Sequence, residues 1–449
     1  MSAEVIPTKT FEYLESILDD IGGISVDSRE IKGGIFLAIK GERTDGHAYV
    51  AQAFENGARL AIVEHIVPDV NANRLVVVPS VLEALDRLAM RNLSRCRAKI
   101  VAVTGSVGKT TTKNLIHHLC LAKGMQNIYT SKKNFNSRIG LPICVATMPK
   151  STECGIFEMG MSTEGDIRRL INILPPSMSV VTKICEAHLQ FFNSLFDIAK
   201  AKAEIFETKI PQDYAIIPGD SPFTAFLKDK AKKYGIKNVY TFGLGDAEII
   251  KTERNNGSIN VVSKIFGEKF EYSINFENVE DSLAAILAAY ALTGSLNGLK
   301  EGLATFTPAN NRGGRYHLKS RNIEIIDDTY NACPTSLKAA IRAMSSDRRK
   351  ILVVGDMLEL GPDAINMHAN IAVTIDKYGV DKVFACGNLS KYLFNNLQEN
   401  KRGAWAEDSQ KISKEVLNEI RDGDCVLIKG SHSMNMDFVV DCLNKLQGE

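Results

Sequence analysis

The stretch Lys99-Ile-Val-Ala-Val-Thr-Gly-Ser-Val-Gly-Lys109-Thr-Thr-Thr-Lys-Asn-Leu-Ile-His-His-Leu119 restricts this chain more than any other. Ile100 to Val103 predict a short buried strand, and Leu115, Ile116 and Leu119 share one face of a helix over Thr110–Lys123 that stops at Gly124. Between them, Gly105 and Gly108 allow a tight turn whose N–H groups, with the positive helix end, face an anion. Lys109 adds a mobile charge there, and the Thr110 hydroxyl is suited to Mg²⁺. The pattern Gly-x-x-Gly-Lys-Thr is a shortened phosphate loop, with Val103 where the usual first glycine would fall.

Strand-like runs then alternate with helical ones: Ile156–Glu158, the helix Glu164–Ile173, Met178–Thr182, a helix through Glu207, and Tyr214–Ile217. Such alternation predicts a parallel sheet with crossover helices, whose ligands bind beyond the C-terminal strand ends. Glu158 ends one of these strands, as a carboxylate for Mg²⁺ or its waters or as an ordinary loop acid. His188 follows another, as a ligand or as a structural imidazole. Leu195, Ile198, Ala199, Ile205 and Phe206 form an apolar stripe that includes Lys202, which leaves Asp197, Lys200, Glu204 and Glu207 on the wet face. Lys202 therefore points inward. Either its stem snorkels, or its buried amine has a partner or a lowered pKa, and a neutral amine can take up CO₂ as an anionic carbamate.

The segment before Lys99 mixes short strands and helices and gathers Ser28, Arg29, Lys40 and His47, as an anion site or as solvated turns. After Asn310-Asn-Arg-Gly-Gly-Arg-Tyr316, which reads as a linker, strands at Ile323–Ile326, Ile351–Val354, Lys382–Ala385 and Val426–Ile428 are each followed by polar or glycine-rich loops. That pattern fits a small dinucleotide-fold domain without a Gly-x-Gly-x-x-Gly signature. The expected fold is α/β in three domains: a small α/β unit over 1–96, a central phosphate-loop parallel-sheet unit over 97–309, and a dinucleotide-fold-like unit over 310–449.

Composition sets limits on function. With 449 residues, 45% hydrophobic, 24% charged and a net charge of +1, the chain has room for several cores and no overall basic field for nucleic acid. No apolar run approaches the ~20 residues of a membrane helix, and the first residues lack a basic-then-apolar leader, so a cytoplasmic protein without membrane insertion is expected. Nine cysteines occur without a Cys-x-x-Cys pair, and Cys144, Cys154, Cys386 and Cys425 lie in apolar runs. They read as reduced core thiols rather than disulfides or zinc ligands.

An ordered set of motifs carries a family resemblance over nearly the whole chain. They are Asp27-Ser-Arg29, Gly34-x-Phe-x-Ala-x-x-Gly41, Asp45-Gly-His47, Thr104-Gly-Ser-Val-Gly-Lys-Thr-Thr111, Asn134-Phe-Asn-Ser-Arg-Ile-Gly-Leu-Pro142 and Glu158-Met-Gly-Met161. Ala187-His-Leu189, Ala201-Lys-Ala-Glu-Ile-Phe206, Asp327-Asp-Thr-Tyr-Asn-Ala-x-Pro-Thr-Ser336 and Gly355-Asp-Met-Leu-Glu-Leu-Gly361 complete the set. Together they resemble the Mur ligases of bacterial cell-wall synthesis.

The resemblance implies a monomeric ATP- and Mg²⁺-dependent ligase that joins D-alanyl-D-alanine to UDP-N-acetylmuramoyl-tripeptide through an acyl phosphate. The alternative is a member that adds one amino acid to the muramyl dipeptide, but its Asp-Asn-Pro-Arg motif is absent here. Folylpolyglutamate synthase shares the short loop yet lacks the N-terminal motifs, and a motor ATPase would hydrolyse ATP without a muramyl substrate. By resemblance, Gly105, Ser106, Val107, Gly108, Lys109, Thr110 and Thr111 hold ATP, joined by Arg315, Asp328 and Asn331 from the third domain. Thr110 and Glu158 serve one Mg²⁺, and His188 with carbamylated Lys202 a second. Ser28, Arg29, Asp45 and His47 surround the UDP end, with Asn134 and Asn136 near the sugar or peptide. The chain departs from the family at Thr182-Lys-Ile-Cys-Glu186, at Gln190, at His432, and in a longer linker that offers both Arg312 and Arg315.

Overall fold

The apolar runs form strands that gather into three sheets, one after another along the chain. The structure, a computed structural model, describes residues 13–14, 22–41, 44–132, 135–255, 258–309, 311–345 and 347–447. The first sheet has four parallel strands in sequence order: Ile24–Ser25, Ile35–Leu37, Leu60–Val63 and Leu75–Val77. The helix Val81–Ser94 follows, its first turn capped by Ser80 Oγ accepting from the Glu83 N–H. Its Leu85 and Leu88 are buried in a cluster with Leu141 and Val145 of the helix Gly140–Ala146. Asn92 then ties the two units together by donating to the carbonyls of Val145 and Met148 at 2.9 and 2.8 Å.

The central sheet has nine strands. Seven are joined by parallel pairing, in the order Ile128–Thr130, Cys154–Glu158, Lys99–Thr104, Met178–Val181, Tyr214–Pro218, Asn238–Gly243, Ala247–Asn255. The last of these opens an antiparallel meander with Ser258–Ile265 and Glu268–Ile274, which the sequence reading did not include. Ser258–Ile265 buries Ile259, Val261, Ser263 and Ile265 with more exposed residues between, so it has a period of two rather than a central strand's unbroken apolar run. The helix Lys109–Ala122 packs against Val279–Thr293, which is buried on nearly every face.

The third sheet begins with Gly314–Leu318, antiparallel to Ile323–Asp328. Parallel strands Cys425–Lys429, Lys350–Gly355, Lys382–Cys386 and Arg402–Ala406 follow. Each expected strand of this region is present, flanked by the two edge strands Gly314–Leu318 and Arg402–Ala406, which are only partly buried and, with their glycine, arginine and small residues, do not stand out as apolar runs.

One expectation needs correcting. The helix carrying Lys202 spans Leu195–Ala203 and then tightens into a 3₁₀ turn over Glu204–Phe206. The tighter turn rotates Glu204 off the wet face: it is 1% exposed and accepts from the N–H groups of Gly165 and Arg168 at 2.7 and 3.0 Å. It thereby satisfies the open N-terminus of the helix Asp166–Ile173. No helix among the described residues is long and apolar enough to cross a membrane, and all nine cysteines are free.

Candidate active site

The phosphate loop is fixed by what surrounds its glycines. Gly105 has φ +152°, and a Cβ there would stand 1.8 Å from Thr182 Oγ1; Gly108 has φ +89°, and a Cβ would stand 2.2 Å from Asp281 Oδ1. Neither position tolerates a side chain. The loop is stitched to the end of the neighbouring strand: the Ser106 N–H donates to the Lys183 carbonyl at 2.7 Å, and Thr182 Oγ1 donates to the Val107 carbonyl at 2.6 Å. Gly108 occupies the N-cap of the helix Lys109–Ala122 without a capping side chain, which leaves the first helical N–H groups for an anion. Lys109 folds back over the loop, its Nζ donating to the carbonyls of Gly105 and Ser106 at 2.9 and 3.3 Å.

At the next strand end, buried Glu158 accepts from Thr110 Oγ1 at 2.5 Å and from Asn136 Nδ2 at 2.7 Å. Burial opposes its ionisation, but the Lys109 charge and these two donors outweigh burial and hold the carboxyl below its usual pKa. It remains an anion beside a hydroxyl, a donor pair suited to a hard divalent cation.

Lys202 is 2% exposed, and no carboxylate pairs with its amine among the described residues. Burial first, and then the Lys109 charge, lower its pKa well below that of an ordinary lysine. His188 has a left-handed backbone, φ +59°, and its Nδ1 lies 2.5 Å from Glu359 Oε2 without hydrogen-bond alignment. Burial, joined by the Lys202 and Lys109 charges, lowers the His188 pKa against the opposing pull of Glu359, so a neutral imidazole is favoured. Glu359 also has a left-handed backbone, and its carbonyl accepts from the Gln190 N–H at 3.0 Å. The third domain is thus drawn against the central one at this point.

A cavity of about 1220 Å³ lies between these two domains. Its walls include Gly105, Ser106, Val107, Gly108, Lys109 and Thr111, along with Asn136, Glu158, His188 and Lys202. From the third domain come Asp328 and Asn331. Lys429, at the end of the Cys425–Lys429 strand, holds both loops by donating to Asp328 Oδ2 at 2.5 Å and to the Asn331 carbonyl at 2.8 Å. Thr110 is not in the wall but reaches it through Glu158.

Arg315, expected to reach the nucleotide, is held away from the cavity in this structure. Its side chain is 7% exposed and clamped by Glu277 and Glu324 at 2.5 and 2.7 Å, with Ser345 and the Ala343 carbonyl completing the clamp. Arg315 anchors the linker strand and does not line the cavity. Arg312 does, its guanidinium 3.6 Å over the Tyr330 ring. The reason is the pleat: Arg315 falls on the side of Gly314–Leu318 where two acids wait, whereas Arg312 precedes the strand and is free to reach outward.

Ser28, Arg29, Asp45 and His47 lie in the first domain and contribute nothing to this cavity. Asn134 falls outside the described residues. Sequence reasoning missed Lys429, Glu359 and Asp281, although the first two lie at or just past the C-terminal ends of parallel strands, the positions already marked for ligands.

Sequence profiles match all three parts of the chain: the Mur ligase family catalytic domain over residues 20–92, the Mur ligase middle domain over 103–289, and the Mur ligase glutamate ligase domain over 314–432. A UDP-N-acetylmuramoyl-tripeptide–D-alanyl-D-alanine ligase of Bacillus subtilis is 33% identical over 94% of this chain and 92% of its own length. The chain belongs to the Mur ligase family. This Mur ligase also superposes on solved relatives: MurF from Acinetobacter baumannii at TM-score 0.83 and 28% identity, covering 96% of this chain and 94% of that one, and Thermotoga maritima MurF in complex with ADP at 0.80 and 27%, covering 95% and 98%. Their three-domain architecture is the one described above.

Proposed function

We propose that this Mur ligase joins D-alanyl-D-alanine to UDP-N-acetylmuramoyl-tripeptide while ATP is converted to ADP and phosphate. The observation that carries the reading is the convergence, in one cavity, of the phosphate loop, the Glu158 carboxylate and the Asp328–Asn331 loop of another domain. The MurF relatives match this chain more strongly, at 33% identity and at TM-score 0.83, than a diaminopimelate-adding ligase does at 18% identity and TM-score 0.55, which favours this reading over single-amino-acid addition.

A carboxylate is a poor electrophile. The terminal carboxylate of the tripeptide must accept the γ-phosphoryl group, and the dipeptide amine then attacks the acyl phosphate, losing a proton as phosphate leaves. Lys109 and the loop N–H groups neutralise the phosphate oxygens, and Arg312 supports them from the linker. Asp328 and Asn331 hold the nucleoside side, with Lys429 orienting their loop. Units 1–96, 97–309 and 310–449 bind the UDP end, ATP and the dipeptide, respectively. All of them belong to one chain, so a monomer suffices for the proposed reaction, and the nucleotide-linked substrates suit the cytoplasm.

The donor set fits Mg²⁺. Thr110 and Glu158 would hold one ion, and His188 with Lys202 as a carbamate a second; bound Mg²⁺ supplies charge neutralisation for phosphoryl transfer. The unpaired, buried amine of Lys202 is what favours the carbamate, because modification replaces a desolvated cation with an anionic oxygen pair. Lys202→Ala should lose nearly all turnover, and added formate or acetate should restore part of it; full activity without rescue would leave Lys202 a packed lysine.

The test of the function is purified protein with ATP, Mg²⁺, the UDP-linked tripeptide and D-alanyl-D-alanine. The nucleotide-linked substrate should gain the mass of the dipeptide less water, with one ADP per bond and ¹⁸O passing from labelled carboxylate into phosphate. ADP release without the muramyl substrate would overturn it.

A further inference from the structure

The Sγ atoms of Cys185 and Cys333 lie 3.6 Å apart, although 148 positions separate them in sequence. Cys185 follows the central strand Met178–Val181, and Cys333 caps the helix Pro334–Arg342 of the third domain. Both side chains are buried, yet Cys333 lines the active-site cavity, where a small reagent can reach it. The loops are also zipped by Thr335 Oγ1 donating to Glu186 at 2.6 Å, so the sulfurs face each other across the closed interface.

We propose that Cys185 and Cys333 are a thiol modification site that a low-molecular-weight disulfide such as oxidised glutathione converts into an interdomain disulfide, locking the cleft shut. The Cys333 thiolate attacks one sulfur of the reagent and expels a thiolate, which takes up a proton. Cys185 then loses its proton and attacks Cys333 Sγ, expelling the second thiol. Two protein thiols are oxidised, and one small disulfide is reduced to two thiols. The roles are asymmetric. Cys333 sits at a helix N-terminus, and its pKa is drawn down to about 7, first by the Cys185 thiol and then, against burial, by Ser336, whereas that of Cys185 is raised. The sulfurs need close only from 3.6 Å to about 2.05 Å. Substrates must enter and leave between the domains, so the bond stops turnover until a dithiol reverses it.

The bond itself does not depend on the ligase reading; only its effect on turnover does. The full-length reduced protein, kept in EDTA, is treated with oxidised glutathione. Expected are a mass loss of two hydrogens, one new linked peptide pair containing Cys185 and Cys333, and a parallel loss of most turnover that dithiothreitol restores. Cys333→Ser should remain unmodified and keep whatever turnover it has through the same treatment, whereas Cys185→Ser should stop at a glutathione adduct on Cys333 with no cross-link, an adduct that the unsubstituted protein should not accumulate. If a variant fails to fold, peptide mapping of the unsubstituted protein decides alone. Stable glutathione adducts without a cross-link, a cross-link elsewhere, or a cross-link that leaves turnover unchanged would overturn the proposal. So would inactivation that needs Zn²⁺ and vanishes in EDTA, since Cys185, Glu186 and Cys333 also cluster closely enough to chelate a thiophilic cation.

Discussion

Two polar constellations of this Mur ligase are built on opposite plans. In the first domain the polar groups satisfy one another. Arg29 pairs with Asp27 at 2.7 Å, Ser28 donates to Gln52 at 2.6 Å, and His47 sits 2.7 Å from Asp45 while its other ring nitrogen accepts from the Glu64 N–H at 2.8 Å. The His47 ring is further pinned by stacking on His65, with centroids 4.2 Å apart. In the cleft, by contrast, Lys202 has no counter-ion among the described residues, and His188 is poorly aligned with its carboxylate. A recognition surface can be finished before its ligand arrives, whereas a chemical site is left with charges that only the reactants complete.

The largest effect should come from the unfinished side. Lys109→Ala removes a group that neutralises developing charge and no apolar packing, so kcat should fall by ~10²–10³ with the melting temperature unchanged. Near-normal turnover at saturating ATP would break the contrast. The two linker arginines then divide it further. Arg315→Ala leaves Glu277 paired with Arg254 but deprives buried Glu324 of its cation, with only the Ser345 hydroxyl still donating to it, and should lower stability by about 3 kcal/mol in denaturant titrations. Arg312→Ala should instead lower kcat/KM for ATP at constant stability. If the two phenotypes were exchanged, Arg315 would be the phosphate ligand after all.

That pair also shows where the sequence was legible. The phosphate loop was readable because strand, turn and helix are contiguous, and Lys202 because helical periodicity turns it inward. Arg312 and Arg315 could not be told apart, since the choice rests on the pleat of Gly314–Leu318 and on Glu277, far away in sequence. Glu204 was misplaced because a 3₁₀ turn breaks the 3.6-residue period. The Glu359–His188 and Cys185–Cys333 encounters depend on how two domains close, which no local pattern encodes.

A smaller effect should separate the regions by pH. Asp281, packed against Gly108 beneath the phosphate loop, has its carboxyl pushed up from 3.8 to about 7, first by burial and then by the Glu280 charge. Between these values the folded protein binds the proton that the unfolded chain releases. The stabilisation is therefore complete below 3.8 and is lost as pH rises through about 7. Asp281→Asn should flatten that part of the pH profile of the denaturation midpoint. An unchanged slope would assign the proton elsewhere.

The smallest structural effect belongs to Arg29, and it tests the finished side directly. Its side chain is 79% exposed, and its ion pair with Asp27 adds little in water, so Arg29→Ala should leave the melting temperature where it is. On the proposed reading, the exposed guanidinium is the group that would meet a phosphate oxygen of the UDP end. Loss of one charge-assisted contact should then raise KM for the nucleotide-linked tripeptide roughly tenfold. The KM for ATP and kcat at saturating substrate should not move, because the cleft is assembled without this residue. A fall in kcat would instead mean that the first domain helps to complete the reacting geometry, and that the two constellations act as one.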